Sequence, residues 1–504
     1  MDGARTGRRR RWYTAGVTAV LVAALGQAVA VDQAAGSAPA AGSVVTVDSA
    51  HPSGRMPGDF VGLSYEMREL SAQCLTGDCT GNFAADRGDL VALLKNLGVS
   101  NVRIAGNQLD RDTLWVPAGQ QPPDPLPSWT ADVVTPTDIA RLDGVLRRTG
   151  WKAEVGINLA HYDPALAADE AHTLASILGP RLAGVECGNE PNHYASNGYR
   201  TAPYGFAQHQ QDWEACAALV GDSPIAAPDL SSPTSTVDWF DQFAQAERDR
   251  VAMLTIHNYT GATTIAQLLS PEIRASELAN VAPQLATARA LGIPIRLDET
   301  NSAVGGGIEG VSDVYASALW AMDYNLTMAQ AGFAGLNFHG GFGVCGEPLF
   351  NGKYQRYTPI CAATAQDEQD KIYTAAPEYY GLYMASQLAS GRFLPVTVSS
   401  DHNVTAYAVR GDDERTRIAV IEKDDTSGPA VPVSIEVGGR DATASVVHLT
   451  GSALDSADGV AVQGATVDRH GRLDPKRPDR VRARHGTVNL DVASGSAVIV
   501  TLDR

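Results

Sequence analysis

Two glutamates in this chain each follow an apolar run, in positions suited to acid–base chemistry. Glu190 comes directly after Asn189, and Pro191 prevents the preceding strand from continuing. Glu299 ends a second apolar run. Glycoside hydrolysis needs such a pair, because one carboxyl group gives a proton to the leaving oxygen while the other attacks carbon or activates water. The alternative for Glu190 is a solvated side chain in a surface loop, and the second glutamate favours catalysis.

Other polar residues follow apolar runs of the same kind, namely Glu66, Asn107, His257, Tyr259, Asn337 and His339. We expect Tyr259 and His257 to donate hydrogen bonds to Glu299 and keep it ionised. Asn189 is expected to bind a sugar hydroxyl or to position Glu299. The separation of the two carboxyl groups decides the outcome, since about 5–5.5 Å implies retention of configuration and about 6.5–9.5 Å implies inversion.

Eight apolar strand-like runs alternate with amphipathic helical segments between residues 60 and 391. This alternation predicts an α/β fold, a parallel (β/α)8 or TIM barrel, whose chemistry lies at the carboxyl ends of the strands. The polar residues above should therefore converge on one face. The predicted strands cover residues 60–66, 101–107, 153–159, 182–187, 224–227, 251–256, 293–297 and 335–338.

Residues 392–504 differ in sequence pattern from residues 60–391. They contain short segments rich in β-branched residues, separated by turns. They predict a C-terminal β-sandwich domain. The segment 43–59 contains an alternating strand at 43–48 that precedes the barrel, and we expect this strand to join the sandwich.

The N-terminus predicts an exported protein. A basic segment at 8–11, an apolar core at 17–25 and small residues at 28–30 are typical of a signal peptide over residues 1–30, cleaved near Ala30. Residues 31–42 read as a flexible tail. The apolar core is too short to span a bilayer, so a secreted protein without a membrane partner is expected, with an uncleaved anchor as the alternative.

The net charge and the spacing of possible metal ligands limit the partners and cofactors that can be expected. The chain has 39 Lys and Arg against 57 Asp and Glu, a formal net charge of -18, which argues against nucleic acid and heavily sulfated polyanions as partners. This net charge does not exclude one acidic sugar that is held by hydrogen-bond donors in a local site. No spacing of ligand residues indicates zinc, so neither a metal nor a cofactor is expected.

Six cysteines allow 15 pairings. We favour Cys74 with Cys79 and Cys345 with Cys361, because each pair closes a short loop. Cys187 and Cys216 then remain as a third pair or as free buried thiols.

Two segments, 188–192 and 298–307, resemble glycoside hydrolase family 79, which contains β-glucuronidases and heparanases. The run Glu-Thr-Asn-Ser-Ala-Val-Gly-Gly-Gly from Glu299 is the specific part. The resemblance continues through Asn107 and through the segments 257–259, 337–339, 376–380 and 452–464, and so covers nearly all of the mature chain.

The resemblance implies a retaining mechanism, with Glu190 as acid/base and Glu299 as nucleophile. It also implies that the backbone N–H groups of Gly305 and Gly306 bind the carboxylate of the sugar, which consecutive glycines permit because the chain can approach closely. A flexible loop is the alternative for these glycines.

The resemblance further implies that Glu66 and Asn107 hold sugar hydroxyls. A surface carboxylate, or an ion-pair partner for Arg68 or Arg103, remains the alternative for Glu66.

One residue departs from the family pattern. Heparanase-like members have a carboxylate-binding Tyr where this chain has Phe338. Tyr354 or Tyr357 in the following loop, or the Gly340 and Gly341 amides, are candidates to replace it, while loop packing is the alternative for the tyrosines.

The acidic balance and the long insertion at 340–376 favour exo action on terminal glucuronate. The leading hypothesis is therefore a secreted retaining exo-β-glucuronidase. The alternatives are an endo-acting heparanase-like enzyme, a neutral-sugar β-glycosidase and a non-catalytic carbohydrate-binding protein.

Overall fold

A computed structural model describes residues 42–74, 81–84, 87–349, 353–354, 356–439 and 441–503. These residues belong to one compact unit, Ala41–Arg504. The predicted signal peptide, all of the flexible tail but its last residue, and the predicted Cys74–Cys79 disulfide lie outside what is described.

Eight parallel strands form the barrel, which confirms the predicted fold class. The sheet runs in sequence order around the barrel, and it closes between its fourth and fifth strands, where the Val185 N–H donates to the Pro224 carbonyl over 2.9 Å. The strands are Val61–Glu66, Asn101–Ala105, Lys152–Ile157, Leu182–Cys187, Ala226–Leu230, Met253–Tyr259, Ile295–Asn301 and Gly335–Gly340.

Helices follow the strands around the outside of the barrel. The main ones are Gly88–Asn96, Pro136–Thr149, Pro164–Leu178, Phe206–Ala217, Val237–Ala246, Pro271–Leu291, Tyr315–Ala331 and Pro377–Ser386. The sequence interpretation names no helix at Val237–Ala246. It also extends the second strand to Asn107, whereas the strand ends at Ala105 and Asn107 lies in the short helix Gly106–Asp112.

Short elements fill the loops at both ends of the barrel. Three 3-10 helices cover Met67–Leu70, Gly179–Arg181 and Pro191–His193, and two short α-helices cover Ile265–Leu268 and Ala365–Asp370. Small sheets comprise Gln73–Cys74, Thr113–Trp115 and Asp132–Val134; Pro348–Leu349 and Lys353–Tyr354; and Ile360–Cys361 and Thr374–Ala375.

A twelve-stranded sheet makes up the second domain. Its first strand, Ser43–Val47, pairs antiparallel with Val396–Ser399 and parallel with Val431–Glu436. The sheet encloses its own apolar core. The remaining strands are Arg55–Met56, Gly391–Leu394, Val404–Gly411, Thr416–Glu422, Ala442–Thr450, Ala461–Val462, Asp479–Arg484, Thr487–Val492 and Ser496–Leu502.

The sheet and the barrel share an interface that is buried on both sides. In the strand Thr416–Glu422, Ile418 and Val420 face the core of the sheet domain, whereas Ala419 and Ile421 pack into the core of the barrel. This arrangement follows from the alternation of side chains along a strand. The central strands of the sheet are therefore apolar on both faces.

A buried ion pair also crosses this interface. The Lys423 ammonium donates to Asp323 of the helix Tyr315–Ala331 over 2.6 Å, and the hydroxyls of Tyr407 and Thr405 donate to the same carboxylate over 2.6 and 2.8 Å. Burial alone would raise the pKa of Asp323, but Lys423 and these hydrogen bonds lower it. The Asp323 carboxylate thus accepts these hydrogen bonds from residues of the sheet domain.

Two of the predicted disulfides are present, Cys187–Cys216 and Cys345–Cys361. The first ties the fourth barrel strand to its helix, and the second closes a loop after the eighth strand. None of the helices in the described ranges is long and apolar enough to cross a membrane.

Candidate active site

Glu190 stands at the end of the fourth strand in a left-handed backbone conformation, with φ of 49°. Gly188 precedes it with φ of 86°, and a Cβ atom there would meet the Tyr194 hydroxyl at 2.2 Å. Only glycine fits that turn. The Glu190 N–H then donates to the carbonyl of Asp229 over 3.0 Å, which anchors the residue to the fifth strand.

Both oxygens of Glu299 accept hydrogen bonds. The Tyr259 hydroxyl donates to Oε1 and the Arg103 guanidinium donates to Oε2, each over 2.8 Å. Burial would raise the pKa of Glu299, but the positive charges of His339, His257 and Arg103 outweigh it and lower the pKa to about 2. Glu299 is therefore an oriented, ionised carboxylate at neutral pH, as a nucleophile must be.

Arg103 is fully buried beneath the two glutamates. It also donates to Glu186 over 2.9 Å and to the side-chain oxygen of Asn189 over 2.8 Å. Asn189 thus helps to position the nucleophile through Arg103. The motifs in the sequence give Arg103 no part in catalysis. Its position inside an apolar strand is nevertheless an available signal, because an unpaired charge is rarely buried.

His257 lies between the acid/base candidate and a buried aspartate. Its Nδ1 is 3.0 Å from Glu190 Oε1, and its Nε2 is 3.7 Å from Asp298, which is hydrogen-bonded to Asp229. Burial would lower the pKa of His257, but the charges of Glu299 and Asp298 raise it to about 10. The imidazolium therefore donates to Glu190, rather than mainly to Glu299 as the sequence analysis expected.

One oxygen of Glu190 and one of Glu299 lie within 4.8 Å of each other and of His257. The side chain of Glu190 is 16% exposed and that of Glu299 is 4% exposed. The two carboxyl groups therefore differ in how far they are open to the cavity. With a pKa of about 10, His257 keeps its proton at neutral pH, so both of its ring nitrogens can donate hydrogen bonds.

These side chains line a cavity of about 550 Å³ at the carboxyl ends of the barrel strands. Of the predicted site residues, Glu66, Asn107, Glu190, His257, Tyr259, Glu299, Gly305 and Gly306 line it. Asn189 is buried behind the wall, at 3% exposure. Among the other lining residues are Arg68, Arg111, His193, Ser231, Val304 and Tyr357.

Gly305, Gly306 and Gly307 have φ angles of 72°, 100° and 92°, which L-residues with side chains rarely adopt. Beside them, the Tyr357 hydroxyl is hydrogen-bonded to the Gly306 N–H and to the hydroxyl of Tyr259. An amide and a phenol thus converge within reach of the nucleophile, an arrangement that can hold an anion.

Phe338 points away from the cavity. Its ring packs edge-on against Trp320 and Tyr324 of the preceding helix, with centroids 5.9 and 6.2 Å away. Of the two candidate tyrosines, Tyr357 is buried at the cavity wall. The side chain of Tyr354 lies outside the described residues.

Glu66 and Asn107 line one part of the cavity wall, on the first strand and directly after the second. Glu66 accepts from the Gln108 N–H over 2.8 Å and lies 3.7 Å from Nε2 of His339. His339 in turn contacts Ser64 over 3.1 Å and Glu299 at 4.0 Å. This wall presents carboxylate, amide and imidazole groups to a bound ring.

Residues 406–499 match the family model of the glycosyl hydrolase family 79 C-terminal beta domain. Over these residues the chain is similar to glycoside hydrolase family 79. Among curated proteins, a β-glucuronidase of Aspergillus niger is 27% identical over 280 residues, covering 49% of this chain and 48% of that protein. A β-glucuronidase of Neurospora crassa is 28% identical over 199 residues, covering 35% and 33%. The chain thus aligns with half or less of the length of these two relatives.

Solved structures share the fold. A 4-O-α-L-rhamnosyl-β-D-glucuronidase from Fusarium oxysporum superposes with a TM-score of 0.72 at 22% identity, covering 91% of this chain and all of that one. A family 51 arabinofuranosidase from Xanthomonas axonopodis gives 0.66 at 15% identity, covering 92% of this chain and all of that one. The combination of barrel and sheet domain is therefore shared more widely than the family.

Proposed function

We propose that this protein is a retaining exo-β-glucuronidase that removes terminal β-linked glucuronate from glycans or glycosides. The observation that carries the proposal is the group formed by Gly305, Gly306 and Tyr357 next to an ionised Glu299. The β-glucuronidase names of the two curated relatives support the same substrate class.

The carboxylate of the sugar would take the place that the Tyr357 hydroxyl now occupies at the Gly306 N–H. Two backbone amides and a phenol would then hold the anion, and hydrogen bonds to a charged group are stronger than those to a neutral one. Tyr357 therefore assumes the role that the family gives to the residue at Phe338. A neutral hydroxymethyl group would leave these donors poorly satisfied.

The reaction proceeds in two displacements. Glu299 attacks the anomeric carbon while Glu190 gives its proton to the leaving oxygen, so that a glycosyl ester of Glu299 and a free alcohol result. Glu190, now a carboxylate, takes a proton from water, and the resulting hydroxide attacks the same carbon and releases Glu299. The distance below 4.8 Å between their oxygens supports retention, because inversion needs room for a water molecule between them.

The loop after the eighth strand supports exo action. It supplies Tyr357 to the cavity wall, and the Cys345–Cys361 disulfide closes it. A loop that is fixed across one side of the cavity favours a chain end over the middle of a polymer. We also propose that the protein is secreted, since its disulfides suit an oxidising compartment and its N-terminal sequence is typical of a signal peptide.

A panel of aryl β-glycosides tests the function. We expect hydrolysis of the glucuronide with release of β-configured glucuronate as the first product, and little turnover of the glucoside, galactoside and xyloside. Equal or reversed preference for the glucoside would refute the glucuronidase assignment and leave a neutral-sugar glycosidase. Release of internal fragments from a glucuronate-containing polysaccharide would instead indicate endo action, and a first product of inverted configuration would refute the double displacement.

A further inference from the structure

The sheet domain carries a basic segment in an otherwise acidic protein. Residues 469–485 contain seven Lys and Arg but only two Asp, in a chain whose net charge is -18. All seven basic side chains are exposed. The active site uses none of them, so the local reversal of charge needs another explanation.

Three of these residues form what we call the arginine face, Arg480, Arg482 and Arg484. They occupy alternate positions of the strand Asp479–Arg484, while Val481 and Ala483 between them pack into the core of the sheet domain. Alternate residues on a strand point the same way and stand about 7 Å apart. The face is therefore a straight row of three guanidinium groups. Its strand is hydrogen-bonded to a neighbouring strand on each side.

The acidic residues near this row contact either the arginine at its end or groups outside the row. Arg480 forms an ion pair with Asp503, Asp479 contacts His448, and Asp441 accepts a hydrogen bond from the His485 N–H. Within the described parts of the chain, no carboxylate pairs with Arg482 or Arg484. Like charges in a row repel one another, and an external anion would relieve that repulsion.

The strands beside the row present hydroxyl groups. Thr443 pairs with Arg482 and Ser445 with Arg480 on one side, and Thr487 pairs with Arg484 on the other. Hydroxyl groups donate to and accept from sugar hydroxyls, whereas the guanidinium groups bind carboxylates. The row therefore combines the two kinds of contact that an acidic sugar polymer requires.

We propose that the arginine face binds an acidic polysaccharide, a chain with repeated uronate groups, and holds the protein on the polymer whose terminal glucuronate it removes. The choice of polymer rests on the proposed function. The hydroxyl groups of Thr443, Ser445 and Thr487 beside the row favour a sugar chain over nucleic acid, because every sugar residue offers hydroxyl groups that can pair with them.

Affinity electrophoresis in gels containing linear polyglucuronate tests the proposal, with Glu299→Gln in every protein to prevent hydrolysis. We expect the gel to retard the protein, and Arg480→Ser/Arg482→Ser/Arg484→Ser to weaken this binding by about tenfold or more. The control Arg248→Ser/Arg392→Ser/Arg415→Ser removes the same charge from exposed positions elsewhere and should bind like the parent. Added salt should weaken the parent's binding.

Equal retardation of the parent and the arginine-face variant would overturn the proposal. So would equal retardation in a neutral glucan gel, or binding of a single-stranded DNA oligomer as tightly as polyglucuronate. Circular dichroism checks the fold, and if the triple variant is unfolded, Arg482→Glu against Arg482→Lys repeats the comparison. Aryl glucuronide turnover is measured separately with Glu299 intact, so that loss of the proposed function and loss of polymer binding are told apart.

Discussion

Glu190 and Glu299 are held by different means, and this difference supports the roles proposed for them. Glu299 is fixed by Arg103 and Tyr259, both of which favour its charged form. The side chain of Glu190 is hydrogen-bonded to His257 and is the more exposed of the two. A group that changes its protonation twice in each cycle has to be open to substrate and water, whereas a nucleophile has to remain ionised.

Replacement of the acid/base residue should therefore slow substrates with poor leaving groups more than substrates with good ones. Glu190→Ala is expected to lower kcat/KM by about 10²-fold or more for a poor alkyl leaving group, because that group needs a proton, and far less for dinitrophenyl glucuronide. Steady-state kinetics with a series of aryl glucuronides measures the slope against the pKa of the leaving group. Glu299→Gln serves as the control, since it should be inactive on every member. A uniform loss for Glu190→Ala would contradict the assignment.

Tyr357 should decide between acidic and neutral sugars. Tyr357→Phe removes one hydrogen bond to the bound carboxylate, and a bond to a charged group contributes about 1.5–3 kcal/mol, or roughly 10–150-fold in kcat/KM. The glucuronide-to-glucoside ratio should fall by that factor. If glucuronide and glucoside turnover fell equally, Tyr357 would act on Glu299 through Tyr259 instead.

At the scale of elements, the loop 341–376 brings Tyr357 to the cavity wall from a segment outside the barrel strands. The Cys345–Cys361 disulfide closes a loop with a sequence separation of 16, and such a bond contributes about 3 kcal/mol. Cys345→Ser/Cys361→Ser is expected to lower the melting temperature and to raise KM for the glucuronide, because Tyr357 would be held less firmly. Calorimetry and steady-state kinetics measure the two effects.

The other disulfide provides the control. Cys187→Ala/Cys216→Ala should also lower the melting temperature, but it should leave the preference for glucuronide over glucoside unchanged, since neither residue lines the cavity. If both pairs changed that preference alike, the effect would be one of general stability and not of the loop.

The sequence predicts the barrel because its strands are apolar runs broken by turns, and a run such as Leu182–Cys187 leaves little ambiguity. It places Asn107 wrongly on a strand, because a short helix that follows directly has no separate periodicity in seven residues. It also leaves open what replaces the family's Tyr at Phe338. Whether Tyr357 reaches the cavity depends on the fold of a long insertion, and local patterns do not encode that.

At the scale of the whole molecule, the buried His257 couples stability to pH. Its pKa is about 10 in the folded protein against an ordinary value of 6.5, so folding favours the protonated form. The resulting stabilisation is complete below pH 6.5 and is lost as the pH rises towards 10. His257→Gln should therefore flatten the decline in melting temperature between pH 6.5 and 10. Parallel curves for parent and variant would contradict this.

The strand Thr416–Glu422, with one apolar face in each core, has a consequence for how such proteins can diversify. Neither the barrel nor the sheet can be exchanged for an unrelated module without uncovering Ala419 and Ile421 and leaving the Asp323 carboxylate without Lys423. Gene fusion and domain shuffling are thereby restricted to the chain ends and surface loops. We therefore expect the two domains to be inherited together and new specificities to arise in loops such as 341–376.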